Sequence, residues 1–125
     1  MTTIEILGIV DRITPNAHTD ADKLRWLKQL DAQIRTEAAL LLQTEPDRIS
    51  EVLCQQAAEG AETLCVPEPF AEELYGAYLQ ACMAWADEDD ARYDRFITRF
   101  NDAYSRFMGM VIQEWNHQSA PHLKF

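Results

Sequence analysis

The densest group of residues that could do chemistry is Asp87–Asp90, where four carboxylates follow one another as DEDD. Clustered carboxylates can hold a hard cation such as Ca²⁺ or Mg²⁺. The run lacks, however, the alternating oxygen ligands and the central glycine of an EF-hand loop. The alternative is a solvated turn between two helices, whose acids cap the positively charged N-terminal end of the second helix. We favour the turn and predict no metal site.

The three histidines add little to this chemistry. His18 lies in a predicted turn, and His117 and His122 are five positions apart in the C-terminal tail. The sequence contains no HExxH, GxSxG or Walker motif, and its four glycines leave little scope for a phosphate-binding loop. We therefore predict no catalytic residue and no cofactor, and a protein that is not an enzyme. The alternative is a metal-dependent enzyme that uses the DEDD carboxylates.

A basic strip is predicted on the last helix. At 100° per residue, four arginines lie within about 60° of one another around the helix axis. They are Arg92, Arg95, Arg99 and Arg106. This face lies about 130° from the centre of the apolar stripe on the same helix. Either the arginines pair locally with Asp94 and Asp102, or they form a contact surface for an acidic partner.

The net charge of −10 is distributed unevenly. Residues 45–90 contain twelve acids and one base, so about one third of the chain carries all of the excess negative charge. This balance argues against tight nucleic-acid binding, which needs lysine and arginine to neutralise phosphates. The acids either keep the protein in solution or form a polarised surface. In the second case identical subunits meet acidic face to basic face, a heterologous contact that closes into rings or continues as filaments.

Several bulky apolar side chains lie outside the predicted core stripes. Trp85 falls off the main stripe of its helix, and Trp26 falls near the edge of another. Trp115, Leu123 and Phe125 place apolar groups toward the C-terminus. Because tryptophan is enriched at protein interfaces, these residues other than Trp26 join the four arginines as candidate protein-contact residues. The tail either docks on a neighbouring protein or folds back on its own domain.

The elements that position these residues are predicted to be helices. Apolar periodicity predicts helices over residues 3–13, 20–42, 70–86 and 91–116. Thr19 is an N-cap candidate with Asp22 three residues later. We predict one all-α domain over residues 1–125: a small helical bundle with a long C-terminal antiparallel hairpin. Residues 43–69 form an irregular connection in this prediction, and residues 117–125 form a flexible tail, because Pro121 discourages helix.

The helical periods also predict which residues are buried. The first stripe contains Ile6, Val10 and Ile13, and the second contains Leu24, Leu27, Leu30, Ile34, Ala38 and Leu41. Lys23 and Asp31 are expected on the remaining surface of the second helix. The third and fourth helices carry wide aromatic stripes that should pack against each other. They contain Leu74, Tyr75, Tyr78, Leu79, Cys82, Met83 and Ala86, and then Tyr93, Phe96, Ile97, Phe100, Tyr104, Phe107, Met108, Val111 and Trp115.

The expected compartment is a reducing one. The three cysteines, Cys54, Cys65 and Cys82, are an odd number without a CxxC pair. The N-terminal residues lack the basic start and the cleavage site of a signal peptide. No apolar run approaches the roughly 20 residues that a membrane span needs, so we expect no membrane partner.

The order of these segments resembles a known family. The features that carry the resemblance are KLRWLKQLDAQI in the second helix, VPEPF before the third and RYDRFITRFNDAY in the fourth. The likeness covers residues 1–115. The chain is similar to the head–tail connector, or adaptor, proteins that tailed phages and prophages encode near their capsid genes.

The resemblance implies a mostly helical, non-enzymatic virion protein. Subunits of this kind assemble as a ring below the portal, bridge the capsid vertex to the tail and continue the DNA channel. It implies portal and tail-completion proteins as partners, a location at the head–tail junction, and the host cytoplasm during assembly. A docking role on the portal would fall to the tail after Trp115. The alanine-rich residues 43–63 depart from the loop expected of the family.

A second function class remains open from the residues alone. A small helical protein-binding module or dimeric regulator would also be acidic, all-α and free of catalytic motifs. It would form a twofold-symmetric dimer through a self-complementary apolar patch, whereas a connector forms a ring.

Overall fold

The computed structural model describes residues 2–43, 64–67 and 69–119, with side chains through Gln113. The predicted all-α class is confirmed in these ranges. The helices there are α1 (Thr3–Ile13), α2 (Asp20–Leu41), α3 (Phe70–Ala86) and α4 (Asp90–Ser119). Most of the predicted connection, including Cys54, lies outside the described residues.

The first two helices begin at threonine caps. The amide of Glu5 donates a 3.3 Å hydrogen bond to Thr2 Oγ1, and the amide of Thr2 donates one to Glu5 Oε1. This reciprocal pair is a capping box. At α2 the amide of Asp22 donates to Thr19 Oγ1 at 3.1 Å, so the predicted N-cap is confirmed.

The last two helices form the predicted antiparallel hairpin. A short turn joins them, in which Glu88 has a positive φ of 57°. The predicted end of α4 at Asn116 is wrong by three residues, because the helix continues to Ser119. A proline disfavours helix for the residue immediately before it, so Pro121 constrains position 120 and leaves the positions up to Ser119 free to be helical.

Helix α3 is the centre of the bundle and contacts α1, α2 and α4. Ten of its residues are buried, on nearly every side of the helix. A helix that is apolar all round belongs inside a protein, which explains the concentration of bulky residues in this segment. More of α3 is therefore buried than the predicted stripe, although Ala86 at the end of the helix is exposed.

Contacts between residue pairs fix the helix directions. Phe70 meets Phe107 with ring centroids 6.0 Å apart, and Tyr78 meets Phe100 at 5.2 Å, so α4 runs antiparallel to α3. Thr14, directly after α1, donates a 2.9 Å hydrogen bond from Oγ1 to Gln80 Oε1, which joins the end of α1 to α3.

The core is a single apolar cluster around α3. Its largest fully buried side chains are Tyr75, Phe107, Ile6, Leu27, Ile34, Leu74, Leu79, Met83, Val10, Val66 and Val111. Three stripe predictions are wrong, since Ile13 is 64% exposed, Leu41 is 50% exposed and Ala86 is also exposed. All three residues are in the last turn of their helices, where the described part of the bundle no longer covers them.

A buried network attaches the segment before α3 to α2. Asp31 Oδ1 accepts hydrogen bonds from the Tyr75 hydroxyl at 2.7 Å and from the Cys65 amide at 2.8 Å. The Tyr75 oxygen in turn accepts a 3.0 Å bond from the Val66 amide. Asp31 was expected on the surface of α2, and instead it connects three parts of the chain.

Lys23 is also buried rather than exposed as expected. Its side chain is only 3% exposed, and Nζ lies 2.6 Å from Asp11 Oδ1 and 3.5 Å from Asp20 Oδ1. Nζ donates a further bond to Asn16 Oδ1 at 3.3 Å. A buried ammonium group needs such partners, and they link the end of α1 to the start of α2.

Candidate protein-contact surface

The four arginines predicted as contact residues lie on one face of α4, but two of them contact an aromatic ring and two contact acidic side chains. Arg95 and Arg99 are exposed, and their guanidinium carbons lie 5.1 and 5.5 Å from the Phe96 ring centroid. This placement over an aromatic face is a cation–π contact. Because their described contacts are with a ring and not with a carboxylate, these two residues are available to a partner.

The other two arginines contact acids of their own chain. Arg106 bonds to Glu73 on α3 at 3.0 Å and to Asp102 at 3.1 Å. Arg92 Nε lies 4.0 Å from Asp89 Oδ2. The alternative of local pairing is therefore met for Asp102, whereas no ion pair among the described residues involves Asp94. The contact with Glu73 was not predicted, because it depends on how the hairpin packs and leaves no signal in the sequence.

Trp85 is the most prominent candidate. It is 70% exposed at the last turn of α3, and its ring lies against Tyr93 with centroids 5.3 Å apart. The prediction that it lies off the core stripe is confirmed. The side chain of Trp115 and the residues Leu123 and Phe125 lie outside the described part of the chain.

Trp85 forms one wall of a groove of about 240 Å³, which we call the aromatic groove. It lies where α2, α3 and α4 meet near the hairpin turn. Its lining residues are Trp26, Tyr78, Ala81, Cys82, Trp85, Ala86, Tyr93 and Ile97. The sequence placed Trp26 at a stripe edge, but only the packing of α2 across α3 brings it beside Trp85.

The interior of the aromatic groove is uncharged at neutral pH. Burial raises the pKa of the Cys82 thiol to about 11 and that of Tyr78 to about 12. Both groups therefore stay protonated under ordinary conditions. None of the described lining residues is Asp, Glu, Lys or Arg, so the groove suits an apolar side chain.

The edge of the groove is acidic. Asp87–Asp90 directly follow the lining residue Ala86, and Glu88 and Asp90 are exposed. His18 Nε2 lies 3.1 Å from Asp87 Oδ1, and the His18 ring meets the edge of Trp26 at 5.7 Å. A ligand with apolar groups beside a positive charge would match this combination of an uncharged interior and an acidic rim.

A second groove, of about 170 Å³, lies between α1, α3 and α4. Charged residues of both signs line it, namely Glu72, Glu73 and Arg99, together with apolar residues such as Ile13 and Phe96. It lacks the exposed tryptophan and the uniformly uncharged interior of the aromatic groove, and we regard it as the weaker site.

The DEDD turn acts as a helix cap. The amide of Arg92 donates a 3.2 Å hydrogen bond to Asp89 Oδ1 at the start of α4, as the turn interpretation predicts. Across the described ranges, no group of three or more His, Cys, Asp or Glu side chains is placed to hold a metal ion. His117 and His122 are not among the described side chains.

Among the described helices, none combines the length and apolar character needed to span a bilayer. No family model matches the sequence, and neither the curated proteins nor the solved structures include a match.

Proposed function

We propose that this chain is a non-enzymatic structural protein of a tailed-phage or prophage particle. Its role is that of a head–tail connector ring subunit, which joins portal to tail and lines the DNA channel. The sequence likeness described above supports the family. The observation that carries the proposal is the exposed Trp85 beside Tyr93, at the edge of an uncharged groove.

Leaving a tryptophan side chain in contact with water is unfavourable in free energy, and a partner that covers the side chain removes this cost. Apolar patches with polar rims mark protein interaction sites, and tryptophan is among the residues that contribute most to binding at interfaces. The aromatic groove has both features, since its interior is uncharged and its rim is acidic. A surface that binds proteins is what a connector needs toward its neighbours.

The charged surfaces support a heterologous contact. Arg95 and Arg99 are exposed on α4, whereas Glu88 and Asp90 are exposed at the hairpin turn. Two different surfaces of opposite charge allow one subunit to contact the next in the same direction. Such contacts close into rings when the rotation between subunits permits.

A DNA channel also explains the acidic character. Each phosphate contact made by a basic group adds affinity and slows passage, whereas acidic walls repel phosphate. Residues 45–90 would supply this acidity. We therefore expect no measurable DNA affinity for the isolated protein at physiological salt, and a tight complex in a gel-shift experiment would contradict the channel.

The ring is tested by sedimentation velocity and negative-stain electron microscopy over a graded concentration series. We expect annular particles at high concentration. Trp85→Ala should weaken assembly. The matched control is Ile4→Ala, which removes an apolar side chain that is 74% exposed on α1, away from the groove. Assembly that stops at two copies would contradict the ring.

A dimeric protein-binding module is the second candidate. The observation that favours it is that Trp85 protrudes beside a groove of about 240 Å³, so two copies could exchange tryptophans about a twofold axis. This candidate predicts a dimer that saturates, with Trp85 of each copy buried by the other.

A further inference from the structure

The aromatic groove and the C-terminal end of α4 lie at opposite ends of the molecule. Trp85 and Tyr93 flank the hairpin turn. At the other end, Phe107 meets Phe70, the first residue of α3. Helix α4 continues twelve positions beyond Phe107 to Ser119, which is about 18 Å at 1.5 Å per residue. The helix therefore carries the following residues away from the groove.

Residues 120–125 cannot reach the groove of their own chain. Ile97, the groove residue nearest to the C-terminus, is 22 positions before Ser119 on one continuous helix. That separation is about 33 Å. Six fully extended residues span at most about 21 Å. If this segment binds an aromatic groove, the groove must belong to another copy of the chain.

The chemistry of the segment fits the groove. Its sequence, APHLKF, places Leu123 and Phe125 on either side of Lys124. The groove volume of about 240 Å³ exceeds the roughly 150 Å³ cavity that binds benzene in an engineered protein. The lining offers aromatic rings to an aromatic ligand. The acidic turn, Asp87–Asp90, directly follows the lining residue Ala86. Asp87 and Asp89 already contact His18 and Arg92, whereas the exposed Glu88 and Asp90 would attract a neighbouring lysine.

We propose that residues 120–125 of one copy bind in the aromatic groove of a second copy, with Leu123 and Phe125 inside the groove and Lys124 on the acidic turn. The contact is heterologous, because a segment of one subunit meets a different surface of the next. The inference rests on the proposed function, since it supplies the contact by which connector subunits assemble head to tail.

The first test measures the contact in trans. The receptor is the full chain with Leu123→Ala and Phe125→Ala, which keeps the groove and removes the apolar groups of its own tail. The probe is a synthetic peptide of residues 117–125, and the control peptide carries alanine at positions 123 and 125. We expect the first peptide to shift tryptophan emission to shorter wavelength, and to bind at least tenfold more tightly than the control.

The same peptide should bind at least tenfold more weakly to a receptor that also carries Trp85→Ala. Equal binding to both receptors, or equal binding of both peptides, would overturn the inference. An emission spectrum of the free receptor that is already blue-shifted at every dilution, with no response to the peptide, would mean that other residues of the same chain cover the groove. That result would also overturn it.

The second test uses complementation. Trp85→Ala keeps the tail and loses the groove, whereas the variant with Leu123→Ala and Phe125→Ala keeps the groove and loses the tail. We expect each variant alone to need at least a tenfold higher concentration than the wild type to assemble. Their equimolar mixture should form a dimer of one copy each and stop there, because only one working contact remains per pair. Assembly of the tail variant alone to the wild-type extent would contradict the inference.

The two proposals can fail separately. If both wild type and tail variant form rings, the connector function stands and the tail contact is wrong. If the peptide binds as expected but the wild type stops at a twofold dimer, the tail contact stands and the ring is wrong.

Discussion

The hydroxyl of Tyr75 donates a 2.7 Å hydrogen bond to Asp31 Oδ1, although 44 positions separate them in the sequence. Burial, followed by the effects of Cys65 and Asp31, raises the pKa of Tyr75, so the phenol stays protonated and remains a donor. Its oxygen also accepts from the Val66 amide. The pair thus joins α2 and α3 and fixes the segment between them.

Tyr75→Phe tests the strength of this connection. The substitution keeps the ring but leaves the buried Val66 amide without its acceptor, which should lower the free energy of unfolding by about 1–3 kcal/mol. Urea denaturation followed by circular dichroism measures the change.

The control is Tyr104→Phe. The Tyr104 hydroxyl donates to Glu37 at a partly exposed position, where water can replace the lost bond. The expected loss is about 0.5–1 kcal/mol. A Tyr75→Phe variant no less stable than Tyr104→Phe would show that the Asp31 network contributes little.

The ion pair between Asp11 and Lys23 predicts a pH dependence. Burial alone would raise the pKa of Asp11, but the hydrogen bonds from Lys23 and Asn16 and the charge of Lys23 outweigh it and hold this pKa below its usual value. In the unfolded chain the carboxyl group titrates near pH 3.9. The stabilisation is therefore complete above that pH and is lost as the pH falls through the lowered pKa of the folded state.

Asp11→Asn should lower the free energy of unfolding at pH 7 by about 1–3 kcal/mol, because the buried ammonium loses its nearest counter-charge. This is less than the loss expected for a fully buried ion pair, because the Asp11 carboxyl is 41% exposed and partly screened by water. The difference between wild type and variant should stay nearly constant from pH 6 to about pH 4, and should shrink as the pH falls further toward the lowered pKa of folded Asp11. Thermal denaturation across this series measures it. Asp20→Asn is the control, with a 76% exposed carboxyl, and should change stability little at any pH.

The helices could be predicted from the sequence because their signals are local. Apolar spacing and the Thr19 cap placed α2 within one residue at its C-terminal end, and Pro69 with the acids Glu72 and Glu73 marked the start of α3. These signals act within one or two turns of the chain. The hairpin followed from the short DEDD connection.

The polar interior could not be predicted in the same way. At 100° per residue, Lys23 and Asp31 fall within the apolar stripe of α2. They were expected in solvent because charged side chains are rarely buried without a partner, and the sequence alone does not show the partner. Their burial depends on contacts with α1 and with Cys65 and Tyr75, which only the assembled bundle brings near. The aromatic groove has the same origin, since Trp26 and Trp85 meet through the packing of α2 on α3.

Gly76 offers a route to a more stable protein. It is buried in the middle of α3, yet a Cβ placed there would lie 3.9 Å from Val10 Cγ2, an ordinary contact distance. Alanine is favoured over glycine in a helix interior by about 0.5–1 kcal/mol. Gly76→Ala should therefore raise the free energy of unfolding by about that amount in urea denaturation.

Gly8→Ala is the matched comparison on α1, where nothing lies within 4 Å of the added Cβ. It should stabilise to a similar degree. A loss of stability at Gly76 alone would mean that α1 and α3 cannot accommodate the extra methyl group at their contact.

The thiol of Cys82 can serve as a chemical probe of the aromatic groove. Because burial raises its pKa to about 11, and only the thiolate is nucleophilic, iodoacetamide should label Cys82 more than about 100-fold more slowly in the native protein at pH 7.5 than in urea. The rate should rise about tenfold per pH unit toward pH 11. Mass spectrometry of the labelled peptide, in a Cys54→Ser background, separates Cys82 from the other cysteines.

Binding of the 117–125 peptide should slow the labelling of Cys82 further, because an occupied groove excludes the reagent. Labelling that is fast at pH 7.5, or unchanged when the peptide is bound, would mean that the thiol does not face the interior of the groove.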